Sequence, residues 1–392
     1  MILSNKKIVI LGGGISGLTV AWRLQELGFQ AEVCESNEFV GGLAGTVRPE
    51  DGRYCLDFGP HFFITQKQEI VERITDLLAD DVVSFERSAQ LYVQGRFLDY
   101  PLSAKNVLLN FPLSDAIASI ITFAWAQLKA AAKYLFSTDP TSVNFGDWAT
   151  ANFGNHLAKI FFRPYTEGFW KIPCENLSPE IIPTSTRLNF MKSLKMMFLR
   201  KVSGPAKSLT ERELVLPLRY PKRGYGVIAE NIADRVLNMG GIIRQNARVA
   251  KVKLRDDGTY LVTVSQDDNL IDLHADHVVS TIPIPNLVNM MSPEAPLIVS
   301  QSAEKLGYLS LIVLYVVTTK KDLLDTSYVY YLDRPYHRLA EMDKFCDSLF
   351  PAGENMLAVE FSCHRGDEIW NMNEQELLEL ALPHLEHDNI LF

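Results

Sequence analysis

The chain has 392 residues, enough to bury a large core and to divide into two domains. Its formal net charge of −9 argues against a general nucleic-acid-binding role, because binding to phosphate backbones needs a basic surface. The five cysteines are scattered and lack CxxC spacing, which argues against a disulfide framework and a zinc site. They fit unpaired thiols in a reducing compartment, and we expect a cytoplasmic protein without a bound metal.

The first predicted elements form a strand, a turn, a helix and a second strand. The apolar run from Ile8 to Leu11 predicts a buried parallel strand, and a helix is expected from about Ser16 to Leu27. Between them lies a glycine-rich turn with Gly12, Gly14 and Gly17. Such glycines allow a tight turn, close approach of the backbone to a pyrophosphate, and close packing of helix on strand. The second strand is predicted at Ala31 to Cys34.

An acidic residue, Glu35, ends the second strand. At this position a carboxylate can accept hydrogen bonds from a ribose diol, and it would repel the 2′-phosphate of NADP. The helix start at Ile15 and Ser16 presents free N–H groups and the positive end of the helix dipole to phosphates. The pattern therefore predicts a dinucleotide site, and by itself it is compatible with NAD or FAD.

Two glycine motifs follow this unit. The segment ESNEFVGGLAGTV contains Gly41 and Gly42, and CLDFGPHFFIT contains Gly59, Pro60 and His61. With these motifs the chain resembles the FAD-dependent amine oxidase superfamily, in particular the branch of protoporphyrinogen oxidase-like and UDP-galactopyranose mutase-like proteins. The resemblance implies FAD as the cofactor, a double glycine close to its ribityl and pyrophosphate, and His61 beside the isoalloxazine ring. Leu43 stands where many amine oxidases have an arginine that reaches the phosphates.

Residues 86 to 219 read as mainly helical, with prolines marking helix ends and turns. The most apolar helix, Ala116 to Leu128, is shorter than the roughly twenty residues that span a bilayer. We expect it to be buried, and peripheral membrane contact is the alternative. The segment YTEGFWKIPCENLSPE resembles the mutase branch, and it makes Tyr165 and Trp170 candidates for the substrate pocket, although such aromatic residues often belong to a core.

A basic stretch runs from Arg187 to Arg223, with ten basic and two acidic residues. A solvated helical face and attraction of an anionic substrate explain it equally well, and membrane-surface binding is a third explanation. We take Arg187 as a candidate substrate contact.

The segment YPKRGYGVIAENIADRVLNMGGII resembles the glycine-rich turn and helix that return the chain to the FAD domain in this family. By the same resemblance, Val249 lies on the strand whose backbone holds adenine, and ADHVVSTIPIP supplies a later strand. Further β-rich runs predict a second sheet, and Asn373 to Glu386 predicts a helix. The β-rich runs are Leu306 to Val317, Ser327 to Leu332, and NMLAVEFSC.

The predicted fold is α/β, with a Rossmann-like FAD-binding domain made of residues 1–85 and 220–290. A second, α+β substrate domain would comprise residues 86–219 and 291–392. Flavoproteins of this family close with a further strand and helix that carry a Gly-Asp or Gly-Arg flavin contact. The pair Gly366-Asp367 is a poor substitute because no glycine-rich helix start follows it, and we expect that closing segment to be missing from the sequence.

Two reactions suit this scaffold. In an amine oxidase- or protoporphyrinogen oxidase-like reaction, a hydride passes from a small organic substrate to the flavin, which requires little acid–base machinery. In a mutase-like reaction, reduced flavin attacks the anomeric carbon of a nucleotide sugar without net redox. We predict the FAD-dependent oxidoreductase, with the mutase and then a flavin-less scaffold as alternatives. His61, Tyr165, Trp170 and Arg187 are the candidate catalytic residues.

Overall fold

A computed structural model of the chain describes residues 6–63, 65, 67–86, 88–100, 111–135, 144–181 and 218–391, without the side chains of residues 131 and 133–135. The chain divides into two compact units, each made of separate segments. Unit 1 comprises Met1–Val83, Arg219–Tyr308 and Ser348–Pro351. Unit 2 comprises Ser84–Leu218, Leu309–Asp347 and Ala352–Phe392.

The strands of the described ranges are, in chain order, β1 (Lys7–Leu11), β2 (Gln30–Cys34), β3 (Thr46–Val47), β4 (Leu56–Asp57), β5 (Val82–Phe85), β6 (Ala89–Val93), β7 (Arg96–Asp99), β8 (Leu218–Pro221), β9 (Ile242–Arg244), β10 (Ala247–Leu254), β11 (Tyr260–Gln266), β12 (Asn269–Ala275), β13 (His277–Ser280), β14 (Met291–Ser292), β15 (Ser310–Thr318), β16 (Tyr328–Tyr331), β17 (Arg338–Glu341) and β18 (Asn355–Cys363).

The α-helices of the same ranges are α1 (Ile15–Glu26), α2 (Gln68–Leu78), α3 (Leu113–Leu135), α4 (Phe145–Phe153), α5 (Asn155–Leu157), α6 (Arg163–Trp170), α7 (Val227–Asn238), α8 (Ile284–Met290), α9 (Leu297–Glu304), α10 (Glu368–Asn371) and α11 (Glu374–His387). A π-helical turn, Ala158–Phe162, joins α5 to α6. Short 3₁₀ turns lie at Gly42–Ala44, Cys174–Asn176, Pro179–Ile181, Met342–Lys344 and Asp347–Leu349.

A four-stranded parallel sheet forms the centre of unit 1, in the order β13-β1-β2-β9. The predicted strand–turn–helix–strand unit is confirmed at its start, because β1 leads through the glycine turn into α1 and then β2. Leu18 and Ala21 lie on the buried face of α1. Gly28, with a φ of +83°, follows the C-terminal end of this helix. This arrangement is Rossmann-like, as the sequence predicts.

A second sheet of unit 1 has the order β12-β11-β10-β14. Its apolar residues Val249, Val252 and Val262 share a buried cluster with Val9 and Leu11 of the parallel sheet. Strand β14 pairs in parallel with β10, which attaches the chain after residue 290 to this sheet. Unit 1 extends to Tyr308, whereas the sequence predicts a domain boundary after residue 290.

Unit 2 contains a six-stranded sheet in the order β15-β18-β17-β16-β6-β7. Every residue of β18, the predicted strand NMLAVEFSC, is buried. Two features differ from the sequence prediction. The segment expected to be mainly helical contributes β6 and β7. Strand β17 is not predicted because its charged end residues, Arg338 and Glu341, are typical of a surface segment.

Helix α3 is longer at both ends than predicted, and only one of its faces is buried. Ala116 and Phe123 face the core, whereas Leu113, Ile121 and Leu128 are more than 60% exposed, so the expectation of a buried helix holds for one side only. Among the described residues, no helix combines the length and apolar character that crossing a membrane requires. Helix α11 confirms the prediction at the C-terminal end, and a capping box between Asn373 and Glu376 fixes its start.

Candidate dinucleotide site

Two glycines of the turn after β1 differ in how closely they are packed: Gly17 leaves no room for a side chain, whereas Gly14 has room for a methyl group. A Cβ atom on Gly17 would lie 2.0 Å from the carbonyl oxygen of Gly12, so α1 can approach β1 this closely only with glycine. Gly14, at the start of α1, has an ordinary φ of −70°. A Cβ atom there would meet its nearest neighbours, in Gly41 and Gly42, only at 3.9 and 4.0 Å. A methyl group at Gly14 would therefore fit without a clash.

The carboxylate of Glu35 is buried beside this turn, with 6% of the residue exposed. Its Oε2 accepts the backbone N–H of Gly13 at 2.7 Å, and its Oε1 accepts that of Asn37 at 2.9 Å. The backbone of Ala247 in β10 donates to the carbonyl of Glu35 at 2.7 Å, which brings the buried Val249 close to the same end of the sheet. The structure thus brings together the candidate ribose and adenine contacts.

The double glycine forms a second turn against the first. The backbone N–H of Gly41 donates to the carbonyl of Gly13 at 2.9 Å, and Gly41 and Gly14 form a β-bridge. Gly41 and Gly42 have φ values of +113° and +57°, which favour glycine. Leu43, in the position where the resemblance implies an arginine, is 84% exposed. No charged side chain replaces that arginine at this position.

Sequence reasoning missed two residues at the carboxyl end of β13. The hydroxyl of Thr281 donates to the carbonyl of Leu11 at 2.9 Å, at the point where the glycine turn begins. The Ser280 hydroxyl is buried and has no hydrogen-bond partner among the described residues. The signal that could have found them is a Ser-Thr pair at the end of the strand that borders β1, because ligands of open α/β sheets bind at the carboxyl ends of strands.

The segment Gly59–Pro60–His61 approaches the returning turn before α7. Gly59 has a φ of +106°, and Pro60 is buried. The imidazole of His61 stacks on the ring of Tyr225, with 5.2 Å between centroids. Its Nδ1 atom is buried without a hydrogen-bond partner in the described part of the chain. A buried ring nitrogen without a partner is costly, which favours a ligand contact at this position.

Two further candidate catalytic residues, Tyr165 and Trp170, belong to unit 2, and their surroundings are aromatic. Tyr165 in α6 stacks on Phe161 and meets Tyr330 edge-on, with centroids 6.2 and 5.9 Å away. Burial raises the pKa of Tyr165 well above its usual range, so this phenol remains protonated at neutral pH. Trp170 packs against a core cluster of unit 2, which fits a structural role.

Arg187 and most of the basic stretch lie outside the described residues. At the described end of this stretch, Arg223 binds the Asp81 carboxylate at 2.8 Å, and the Lys222 ammonium donates to the carbonyl of Asp80 at 2.7 Å. No group of three or more potential metal ligands occurs among the residues that the structure describes.

The family of this chain follows from comparison with known proteins. The model of the flavin-containing amine oxidoreductase family matches residues 15–388. The chain belongs to this family. The crystal structure of a reduced UDP-galactopyranose mutase superposes with a TM-score of 0.77 at 22% identity, covering 99% of this chain and 80% of the mutase.

Two curated relatives have names that describe redox enzymes. A 15-cis-phytoene desaturase of Solanum lycopersicum is 21% identical over 392 residues, covering 97% of this chain and 64% of the desaturase. A coproporphyrinogen III oxidase of Bacillus subtilis is 23% identical over 184 residues, covering 44% of this chain and 38% of the oxidase. The chain therefore spans less than two thirds of the length of either relative.

The flavin of this family, FAD, fits the described site. The start of α1 at Gly14 can direct backbone N–H groups at a pyrophosphate. Oε1 of Glu35 already accepts the Asn37 N–H and the Ser36 hydroxyl, whereas Oε2 accepts only the Gly13 N–H and keeps one acceptor position for a ribose hydroxyl, since each oxygen accepts up to two hydrogen bonds. The unpartnered Nδ1 of His61 provides a polar group beyond the double glycine.

Proposed function

We propose that the chain is an FAD-dependent oxidoreductase that removes a hydride from a small organic substrate. The observation that carries the proposal is the joint formation of the site by the glycine turn, Glu35 and the double glycine at one end of a parallel sheet. When bound, FAD accepts a hydride and thus two electrons, which the chain's own side chains cannot do.

We assign the adenosine half of the cofactor to the end of the sheet formed by β1, β2 and β10. Glu35 would accept hydrogen bonds from the ribose hydroxyls, and the backbone at Val249 would face the adenine. The N-terminus of α1, from Gly14 through Ser16, would direct its free N–H groups at the pyrophosphate. Gly41 and Gly42 would let the backbone pass close to the remainder of the cofactor.

We assign His61 to the flavin ring. Its stacking on Tyr225 fixes the orientation of the imidazole, and the buried Nδ1 is available to the cofactor. In the oxidation, the C–H bond of the substrate breaks, its electron pair and hydrogen leave together, and the substrate loses two electrons. Oxygen or another electron acceptor then receives these electrons.

An aromatic environment around Tyr165 in unit 2 agrees with this reaction, with the buried ion pair of Arg338 and Glu360 as the charged groups that act on this phenol. Tyr165 stays protonated, and its neighbours Phe161, Phe169 and Tyr330 offer aromatic surface. Hydride removal benefits from such a water-poor site, because exposed charge would favour competing hydrolysis and proton transfer. We keep the anionic substrate as an expectation that rests on the basic stretch.

The structural likeness to a UDP-galactopyranose mutase supports a second candidate. A mutase would isomerise a nucleotide sugar without net oxidation, and it would require reduced FAD from the start. The oxidoreductase ranks first because the family model and the desaturase and oxidase relatives describe redox enzymes, whereas a probable UDP-galactopyranose mutase of Klebsiella pneumoniae, 23% identical over 238 residues, supports the second candidate.

Anaerobic spectroscopy separates the two candidates. Protein loaded with FAD is mixed with amines or with porphyrinogens, and the visible absorption of oxidised flavin is followed. We expect one substrate class to bleach this absorption and an electron acceptor to restore it. A parallel sample is reduced with dithionite and offered nucleotide sugars. Ring isomers in that sample, together with no bleaching by any reductant, would replace the oxidoreductase by the mutase.

A further inference from the structure

We infer that Asp57 is a positioning residue, whose carboxylate holds the double-glycine turn and the His61–Tyr225 stack in one fixed arrangement around the flavin. This inference rests on the proposed function, because it concerns where the same cofactor is held. Asp57 lies in β4, opposite Thr46 of β3, and only 3% of the residue is exposed.

Three donor groups from two separate chain segments form hydrogen bonds to this one carboxylate. The hydroxyl of Thr46, four residues after Gly42, donates to Oδ1 at 2.5 Å. The hydroxyl of Tyr220 donates to Oδ2. The backbone N–H of Tyr225 lies between both oxygens, at 3.0 and 3.2 Å. The segment after the double glycine and the segment before α7 therefore meet on Asp57.

The Thr46 hydroxyl extends this connection. It accepts the backbone N–H of Gly226 at 2.7 Å while it donates to Asp57, so its single proton is committed to the carboxylate. The chain of bonds runs from the start of α7 through Thr46 to Asp57. Because Tyr225 carries the ring on which His61 stacks, the same bonds fix the position of the imidazole.

The packing around Asp57 allows little adjustment. A Cβ atom on Gly224 would lie 2.5 Å from the Thr46 methyl group and 3.1 Å from Oδ1 of Asp57. A Cβ atom on Gly226 would lie 2.5 Å from the backbone nitrogen of Thr46. Segments this close pass a shift from one to the other. A change at Asp57 would therefore displace both the double-glycine turn and the His61–Tyr225 stack.

Only a carboxylate can serve all these donors. An asparagine offers one acceptor oxygen and replaces the other by an NH₂ donor, which would face Tyr220 or the donors on Oδ1. One of the buried donors would then lack a partner and the segment that carries it would move. Burial raises the pKa of Asp57 above its usual value, and the bonds from Thr46, Tyr220 and Tyr225 offset this rise only in part.

The test compares Asp57→Asn with a matched control in the same unit. Asp272→Asn removes a carboxylate oxygen that likewise accepts a threonine hydroxyl, from Thr263 at 2.7 Å, but on the surface. Each variant is titrated with FAD, and the visible circular dichroism and reduction potential of the bound flavin are recorded. We expect Asp57→Asn to weaken FAD binding at least about tenfold and to change the flavin spectrum, with Asp272→Asn matching the wild type.

A second pair of variants covers the case in which Asp57→Asn does not fold. Thr46→Val removes the hydroxyl that links Gly226 to Asp57, and Thr46→Ser keeps it. We expect the valine to reproduce the spectral change and the serine to restore wild-type behaviour. A lowered melting temperature with an unchanged flavin spectrum would reduce Asp57 to a structural role and overturn the inference. Failure of the wild-type chain to bind FAD would overturn the proposed function as well.

Discussion

The carboxylate of Glu35 and the backbone N–H of Gly13 are joined by a hydrogen bond of 2.7 Å. This bond connects the acid at the end of β2 to the glycine turn at the end of β1 before any ligand is present. The proposed ribose contact is therefore oriented in advance by the proposed phosphate turn, and binding need not order it. Such preorganisation lowers the entropic cost of binding.

Substitution of Glu35 tests the ribose assignment. Glu35→Ala removes both acceptor oxygens, and Glu35→Arg adds a positive charge next to the N-terminus of α1. We expect both to weaken FAD binding by about 1–3 kcal/mol, the arginine more than the alanine. Fluorescence titration with FAD gives the dissociation constants, and Glu38→Ala, an exposed acid nearby, is the control. Identical affinities in all four proteins would leave Glu35 without a role in binding.

The two glycines Gly14 and Gly17 should respond differently to alanine. In Gly17→Ala the new methyl group would meet the carbonyl oxygen of Gly12, so we expect loss of stability by about 3 kcal/mol or more. In Gly14→Ala the methyl group would meet Gly41 and Gly42 only at ordinary contact distances, and we expect an unchanged melting temperature without cofactor but much weaker FAD binding. Gly307→Ala, with no atom within 4 Å of the added group, is the control. Unimpaired FAD binding by Gly14→Ala would move the pyrophosphate elsewhere.

Glu32 makes unit 1 sensitive to acid. The buried carboxylate binds Lys7 at 2.6 Å and Arg244 at 2.5 Å. Burial acts to raise the pKa of Glu32, but the bonds from Lys7 and Arg244 outweigh it, and the pKa lies below its usual value. A lowered pKa means that the stabilisation is present above the unfolded value of about 4.5 and is lost as the pH falls through the folded value.

Glu32→Gln removes this dependence. We expect the variant to be less stable than the wild type by about 1–3 kcal/mol at neutral pH, and the difference to shrink toward about pH 3. Urea unfolding across this pH range gives both curves. A difference that stays constant with pH would show that the pKa of Glu32 is the same in the folded and the unfolded chain.

His61 tests the assignment of the flavin ring. His61→Phe keeps a ring to stack on Tyr225 but removes both nitrogens. We expect FAD affinity close to the wild type and a reduction potential of the bound flavin lowered by about 10–30 mV, because a lost hydrogen bond to the electron-rich reduced ring is worth this much. Potentiometric titration measures it. A wild-type potential in His61→Phe would place the imidazole away from the flavin.

The sequence predicts those parts of the molecule whose determinants are local. β1, the glycine turn, α1 and Glu35 follow each other within one segment, and so do Asn373 and the helix it caps. Strand β17 is different. Its Glu341 is buried because it accepts the backbone N–H groups of Leu323 and Leu324, and its Arg338 because it pairs with Glu360. These partners are distant in sequence, so the charges suggest a surface where the fold has a core.

The candidate site shows the same division. The glycines and Glu35 were identified from spacing alone, whereas Asp57 and Ser280 gain their significance only from neighbours brought by other segments. For Trp170 the sequence leaves a pocket role and a core role open. Its motif suggested a pocket, but its packing in a core cluster of unit 2 accounts for it structurally.

The parallel sheet of unit 1 has a consequence for synthesis of the protein. The backbone N–H of Lys7 donates to the carboxylate of Asp276, which lies 269 positions later, and β1 pairs with β13 directly after that residue. A nascent chain that has emerged only through β2 therefore presents an open edge of β1, with Val9 and Ile10 unprotected, until the ribosome has passed Ser280. Closing such a distant contact is slow, and exposed apolar edges invite association between chains. Yield of soluble protein should thus depend on translation rate and on chaperones more than the stability of the finished sheet would indicate.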